Sequence, residues 1–439
     1  MPTRDLSVVK TALIDFFKAR LTNKATKIST RTDVRAACGL KSDSKWRALA
    51  KAINSLPSIV AAKLRISEGD LLEAKSVGEI LKRLRAASLV SARSGKLTVA
   101  KPISTSPIVV KTDNEGAQYA VWYGTNRKPI DAKAPNRGYS NERDDTTHYG
   151  KCIVSVPKSH KIGSIGSSWW KRLLSRTDDR LKITDVSELN EDAFWASARE
   201  HLAKVAPGRR DVVIFVHGYN VSFSAAALRA AQVGFDLSIE GVMAFFSWPS
   251  QGILKGYISD EATIEASEVS LADFIEKFAS EGRRVHLIAH SMGNRGVLRA
   301  VNRIEGTAKR RKALFGQIIL AAADVDAGTF KNLCDSYVRS SSRATLYVSP
   351  KDRAVEASRW LHDFPRAGLL PPVMIVPGID TINVVNSDIS MLGHGYVAES
   401  RNVLQDMHAL ITAGTPPEKR FALQRTKTSD NEPYWIIGK

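Results

Sequence analysis

The hydrophobic pattern changes character about a quarter of the way along the chain. From residue 119 onward, short apolar and β-branched runs are each followed by turn residues and then by a helical stretch. The segments QYAVWYGT (118–125), GKCIVSVP (150–157), DVVIFVHG (211–218), GVMAFFSW (241–248), RVHLIAHS (284–291), GQIILAAA (316–323), ATLYVSP (344–350) and VMIVPG (373–378) read as strands. Stretches at about 187–204, 222–236, 260–280, 292–304 and 353–361 read as helices. Near-continuous apolar strands leave no polar face for water, so the alternation predicts a mostly parallel sheet covered by helices on both faces. In such α/β sheets the chemistry collects beyond the carboxyl ends of the strands.

Residues 1–105 follow another pattern. Val9, Leu13, Phe16 and Phe17 fall on one helical face within 7–21, with Ser7 as a cap. Residues 30–56 read as two short helices broken at Cys38-Gly39-Leu40. A further helix at about 71–87 precedes two short strands around Ser94-Gly95. Helices, a Gly-containing turn, a basic helix and a terminal hairpin together resemble a winged helix-turn-helix module, although none of the base-reading side chains that define one stands out. Pro102 and Pro107 among Ser, Thr and Lys mark a linker. The expected organisation is a small, basic, mainly helical module over 1–105, a linker over 106–118 and an α/β domain over 119–439.

Charge sharpens this division. The chain carries a formal net charge of +19. Residues 1–111 hold 22 Lys and Arg against 8 Asp and Glu, while the remainder holds 42 against 37. A basic first quarter fits attraction to nucleic acid, an acidic protein partner or an anionic membrane surface, and also fits a merely solvated face. The apolar share of 43% and charged share of 25% are those of an ordinary globular protein. Cys38, Cys152 and Cys334 are widely spaced and show no metal-binding pattern, which suits a reducing cytoplasm. The first twenty residues carry charges where a signal peptide needs an apolar stretch, and no run is long enough to span a membrane.

Candidate chemistry centres on VHLIAHSMGNRGVL (285–298). VHLIA reads as a strand, and Val297, Leu298, Val301 and Ile304 follow helical spacing, so Ser291 falls at a strand-to-helix corner. A nucleophile elbow needs small residues around its serine because the turn is tight. Gly293 supplies one, and Ala289 stands where glycine is usual. A serine hydroxyl needs a base and an orienting carboxylate, in the chain order serine, acid, histidine. Asp352, just past the strand in TLYVSPKD, and His394, in the Gly-flanked loop MLGHGYV, meet that order. Asp324 and Asp326, in LAAADVD, are the alternative acids, with helix capping as their competing role. An oxyanion hole requires two backbone N–H donors. Met292, directly after the nucleophile, and Tyr219, in the loop FVHGYN, are the candidates.

HGYN (217–220), FSWPS (246–250), AHSMGN (289–294), ADVD (323–326), YVSPKD (347–352) and GHGY (393–396), in this order, resemble a bacterial α/β-hydrolase family of unknown function. WYGTNR (122–127), YGKCIVSVPKSHKIG (149–163) and EPYWIIG (432–438) are similar to it as well. The resemblance covers roughly 119–439. It implies the α/β-hydrolase fold and a triad of Ser291, Asp352 and His394, and it implies no substrate.

These readings converge on a serine hydrolase cleaving a carboxylic ester, such as a lipid or other small acyl ester, without a metal or organic cofactor. Trp248 and Tyr257, in and after the loop SWPSQGILKGY, are expected to shape an apolar acyl pocket. Trp169 and Trp170 read as core anchors or as a lipid-facing patch. The alternative reading is a hydrolase-like ligand sensor attached to a DNA-binding or partner-binding module.

Overall fold

Within Ile103–Lys439 the apolar runs pair into one sheet. The computed structural model describes residues 6–19, 29, 33, 53, 64–65, 77, 80, 85–86, 112–113, 116–166, 180–251, 256–280, 283–307, 314–350, 352, 355, 358, 364–385 and 396–438. Contacts divide the chain into two units, Met1–Pro102 and Ile103–Lys439.

The strands of the second unit are β1 (Gly116–Pro129), β2 (Tyr139–Pro157), β3 (Lys182–Leu189), β4 (Val212–Val216), β5 (Val242–Ser247), β6 (Val285–His290), β7 (Phe315–Ala321), β8 (Ser341–Val348), β9 (Ile379–Val384), β10 (Leu423–Lys427) and β11 (Pro433–Ile437). Its helices include α1 (Glu191–Lys204), α2 (Phe223–Asp236), α3 (Tyr257–Ala266), α4 (Glu268–Ser280), α5 (Gly293–Thr307), α6 (Ala327–Leu333), α7 (Asp335–Ser340) and α8 (Arg401–Ala413). The spatial order is β10-β11-β9-β8-β7-β6-β4-β5-β1-β2-β3, and Thr112–Asp113 adds antiparallel to β1. From β11 to β1 every neighbouring pair is parallel. Antiparallel pairing is confined to the margins, at β10/β11, β1/β2 and β2/β3. This is the α/β-hydrolase architecture, a mostly parallel sheet between two helical layers.

Strand alternation feeds both layers. Val212, Ile214, Val216, Val242, Ala244 and Phe246 point into one core with Phe194, Ile264, Phe274, Val297 and Val301 from α1, α3, α4 and α5. Val213, Phe215, Met243 and Phe245 point into the other with Ala227, Ala230, Leu404 and Leu410 from α2 and α8. Every residue of β4, β5 and β7 is buried, which is why these segments read as mainly apolar runs, polar only at Ser247 and Gln317. Each large aliphatic or aromatic side chain so buried contributes roughly 1.5–3 kcal/mol.

The chain order reverses at β4, which lies between β5 and β6. That switch point places the loop after β4 beside the corner after β6, and ligand sites of open α/β sheets form there. Val216 pairs with Ala289, so the residues that follow each emerge side by side.

Several elements differ from expectation. VMIVPG is not a strand: Pro377 and Gly378, the latter at φ +82°, form a turn in which the Ile379 N–H donates to Val376 O, and the strand begins at Ile379. The helix expected from 187 starts at Glu191 because Asn190 caps it, its side chain accepting from Ala193 N–H, and KITDVSEL pairs with β2 instead. The stretch 260–280 breaks at Ser267 into α3 and α4. The linker expected over 106–118 already contains sheet at Thr112–Asp113 and from Gly116. The terminal pair β10 and β11 was not foreseen.

In Met1–Pro102, helix Leu6–Lys18 buries Leu13, Phe16 and Phe17. Val77 and Ile80 are helical and buried, and Leu64–Arg65 pairs antiparallel with Arg85–Ala86, so the helix expected over 71–87 does not reach its end. The breaks at 38–40, the hairpin at Ser94-Gly95, and Trp169 with Trp170 in the second unit lie outside the described residues.

Candidate active site

Between the end of β6 at His290 and the start of α5 at Gly293 only Ser291 and Met292 turn the chain. Ser291 adopts φ +55°, the left-handed region that costs an L-residue about 1–2 kcal/mol. Its backbone is fixed on both sides. The Ser291 N–H donates to Ala321 O at 2.9 Å, and Ser291 O accepts from Asn294 N–H (3.1 Å), Asn294 Nδ2 (2.9 Å) and Asp324 N–H (3.2 Å). The Asn294 amide also reaches Ala289 O and Ala321 O, each at 3.2 Å, and so ties the corner to β6 and β7. A Cβ on Gly293 would lie 2.5 Å from His217 O, so only glycine lets α5 start so close to the β4 loop. Ala289 is accommodated within β6, paired with Val216 and Leu320.

The loop after β4 runs alongside. Gly218 faces Ser291, and Asn220 adopts φ +59°. Among the described residues no acceptor meets the Met292 N–H. His217 is buried, its Nδ1 lies 2.7 Å from Gly218 O and its Nε2 3.3 Å from Ser247 Oγ. Burial, reinforced by the nearby Arg127 charge, pushes the imidazole down to about 3, so it is neutral at ordinary pH. A neutral ring with Nδ1–H donating to Gly218 O and Nε2 accepting from the Ser247 hydroxyl satisfies both nitrogens.

A sequence profile described as an alpha/beta hydrolase of unknown function (DUF900) matches residues 191–413, a span from α1 through α8 that includes the elbow and the β4 loop. The chain belongs to this family. Comparison with curated proteins gave no match.

In this α/β-hydrolase Asp352 lies four residues beyond β8 and is buried, one carboxylate oxygen accepting from Val355 N–H at 3.1 Å. Asp324 is also buried, but its carboxylate is engaged by the Tyr257 hydroxyl (2.6 Å) and the Ser358 hydroxyl (2.6 Å), with Arg366 at 3.6 Å. Asp326 is the N-cap of α6, accepting from Thr329 N–H at 2.8 Å. His394 lies outside the described residues.

The two expected pocket residues part company. Trp248 has no exposed surface: its ring stacks on His217 at 5.1 Å and its Nε1–H donates to His217 O at 2.8 Å. It therefore supports the loop from below, and its ring presents no face to a ligand in this structure. Tyr257 is half-buried, packs edge-on against Tyr219 at 5.2 Å, and bonds Asp324 and Ser358. Burial and the Asp324 charge hold its phenol protonated, well above the ordinary range.

Two buried charges were missed in the sequence. Arg127 and Asp260, both without exposed surface, lie beneath the β4 loop. Burial pushes the Arg127 guanidinium down to about 9, with Asp260 pulling the other way. Burial raises the Asp260 carboxyl, opposed by hydrogen bonds from Ser250, Gln251 and Asn220. Among the described residues no group of His, Cys, Asp and Glu is arranged to hold a metal ion, and no helix is long and apolar enough to cross a membrane.

Proposed function

We propose that the α/β-hydrolase domain is a serine hydrolase acting on carboxylic esters. The observation that carries this reading is Ser291 held at φ +55° on a two-residue corner at the switch point, a strained position kept by hydrogen bonds to three neighbouring segments. Ser291 Oγ attacks the ester carbonyl while His394 takes its proton. Asp352 orients the imidazole and stabilises its cation. The Met292 and Tyr219 amides receive the oxyanion. Collapse of the tetrahedral intermediate expels the alcohol, protonated by His394, and leaves an acyl-serine. Water deprotonated by His394 then releases the acid and restores the serine. The substrate is a small-molecule or lipid acyl ester. For residues 1–111, the excess of positive charge supports a polyanionic partner, which predicts binding that weakens steeply with salt.

The deciding experiment labels the full chain with a fluorophosphonate probe and maps the adduct by mass spectrometry. Modification confined to Ser291, absent in Ser291→Ala, is the expected result. A wild-type protein that stays unmodified, or is modified elsewhere, overturns the assignment.

A further inference from the structure

The peptides on either side of Tyr219 are held by side chains that the catalytic steps above do not use. Arg127, near the end of β1, spends its guanidinium on neutral acceptors: Nε donates to Ser247 Oγ (2.9 Å), one terminal nitrogen to Asn141 Oδ1 (3.0 Å), Ser140 O (3.2 Å) and Ser250 O (3.3 Å), and the other to Val221 O (2.7 Å). Asp260, in the first turn of α3, accepts from the Ser250 hydroxyl (2.5 Å), Gln251 N–H (2.8 Å) and Asn220 N–H (3.5 Å). Ser250 joins the two charges, its carbonyl accepting from Arg127 while its hydroxyl donates to Asp260 and accepts from Val221 N–H at 3.2 Å.

The consequence for the loop is specific. Downstream of Tyr219, Asn220 N–H is bound by Asp260, and Val221 is bound at N–H by Ser250 and at its carbonyl by Arg127. Upstream, Arg127 donates to Ser247, the Ser247 hydroxyl donates to His217 Nε2, and His217 Nδ1–H donates to Gly218 O. Asn220 is left-handed, a conformation asparagine adopts more readily than other side chains, and the bonds to its own N–H and to Val221 fix it there. Burying a cation and an anion carries a desolvation penalty that an apolar pair of similar volume would avoid. What an apolar pair would not supply is directional bonding to Ser247, Asn220 and Val221.

Resting on the serine-hydrolase reading, we propose that Arg127 and Asp260 are positioning residues that hold the Gly218–Val221 loop so that the Tyr219 amide faces the oxyanion on Ser291. Neither touches substrate. Lysine does not replace Arg127, because a single ammonium cannot span Ser247, Ser250 and Val221 as the planar fork does.

The test compares the full chain with Arg127→Lys and with the milder Ser247→Ala, which cuts the upstream branch alone. Three quantities are measured: steady-state constants on p-nitrophenyl acetate, fluorophosphonate labelling rate, and amide hydrogen exchange resolved over 216–222 and over β6 and β7. The expected result is a fall in kcat of about 100-fold for Arg127→Lys, the scale of losing one oxyanion donor, and about 10-fold for Ser247→Ala, with KM within about 3-fold in both. Exchange should accelerate about 10-fold or more over 216–222 while β6 and β7 keep wild-type protection. Unchanged loop exchange in both variants overturns the proposal. So does acceleration spread equally over β6 and β7, which marks global destabilisation. If the wild type takes no probe at Ser291, the hydrolase reading falls by itself, and the exchange data still judge whether Arg127 and Ser247 hold the loop.

Discussion

Gly218 lies against Ser291, so close that a Cβ on Gly218 would stand 2.7 Å from the Cβ of Ser291. Non-bonded carbon atoms do not approach so nearly, so a methyl group there must displace the Ser291 corner, the loop carrying Tyr219 or both. We expect Gly218→Ala to lower turnover of an activated ester by about 100-fold or more, since a shift of Ser291, of the Tyr219 amide or of both breaks the geometry proposed for attack. The overpacking should cost about 1–3 kcal/mol of stability. A Gly218→Ala variant with wild-type kcat would remove this loop from the mechanism.

The three carboxylates near the elbow differ in what they already do, and this separates the effects of replacing them. Asp326 caps α6, so Asp326→Ala should lose about 1 kcal/mol and keep its ester turnover. Asp324 holds Tyr257 and Ser358, so Asp324→Asn should lose about 1–3 kcal/mol while Ser291 still takes the fluorophosphonate. Asp352→Asn should leave the melting temperature within a few degrees and cut kcat by about 1000-fold or more. Thermal melts and steady-state rates on the three variants decide the matter. Loss of turnover in Asp326→Ala with none in Asp352→Asn would reassign the acid.

What the sequence made legible were features whose cause is local. The strand-to-helix corner at Ser291 was readable because an apolar run ends there and helical spacing begins, and β4, β5 and β7 were readable because full burial leaves them almost wholly apolar, Ser247 and Gln317 excepted. The brace beneath the loop was not readable. Arg127 stands in WYGTNR like a surface residue, and its acceptors arrive from as far away as Val221 and Ser250. Trp248 was misjudged for the same reason: a ring in a Pro-containing loop looks available for a ligand until its N–H is found on His217 O. VMIVPG failed because a proline and a left-handed glycine ended the run where the next strand had yet to begin.

His217 gives the fold a sensitivity to acid. In the unfolded chain its imidazole titrates near 6.5, and in the folded protein burial holds it down to about 3. Below pH 6.5 the unfolded state therefore binds a proton that the folded state refuses, and stability falls as pH falls. The loss from this one group is about 2 kcal/mol at pH 5 and about 3 kcal/mol at pH 4, and it levels off below pH 3. His217→Gln, which removes the titration, should have a lower melting temperature at pH 7 and a flatter dependence between pH 6.5 and 4. Parallel curves for the two proteins would mean that His217 already carries its proton when folded.

Ser291 offers a prediction in which function and stability move in opposite directions. Its φ of +55° is unfavourable for any residue with a Cβ, and the surrounding bonds are made by its backbone N–H and carbonyl, which survive replacement of the side chain. Ser291→Ala and Ser291→Gly both lack the hydroxyl proposed as the nucleophile and should both be inactive. Glycine alone relieves the left-handed strain, by about 1–2 kcal/mol, offset in part by the greater entropy of glycine in the unfolded chain, about 0.5–1 kcal/mol. Ser291→Gly should therefore be more stable than Ser291→Ala by a margin of up to about 1.5 kcal/mol, measurable by urea denaturation as a higher midpoint at equal slope. If alanine were the more stable of the two, the corner would not be strained at Ser291, and the observation that carries the nucleophile assignment would lose its force.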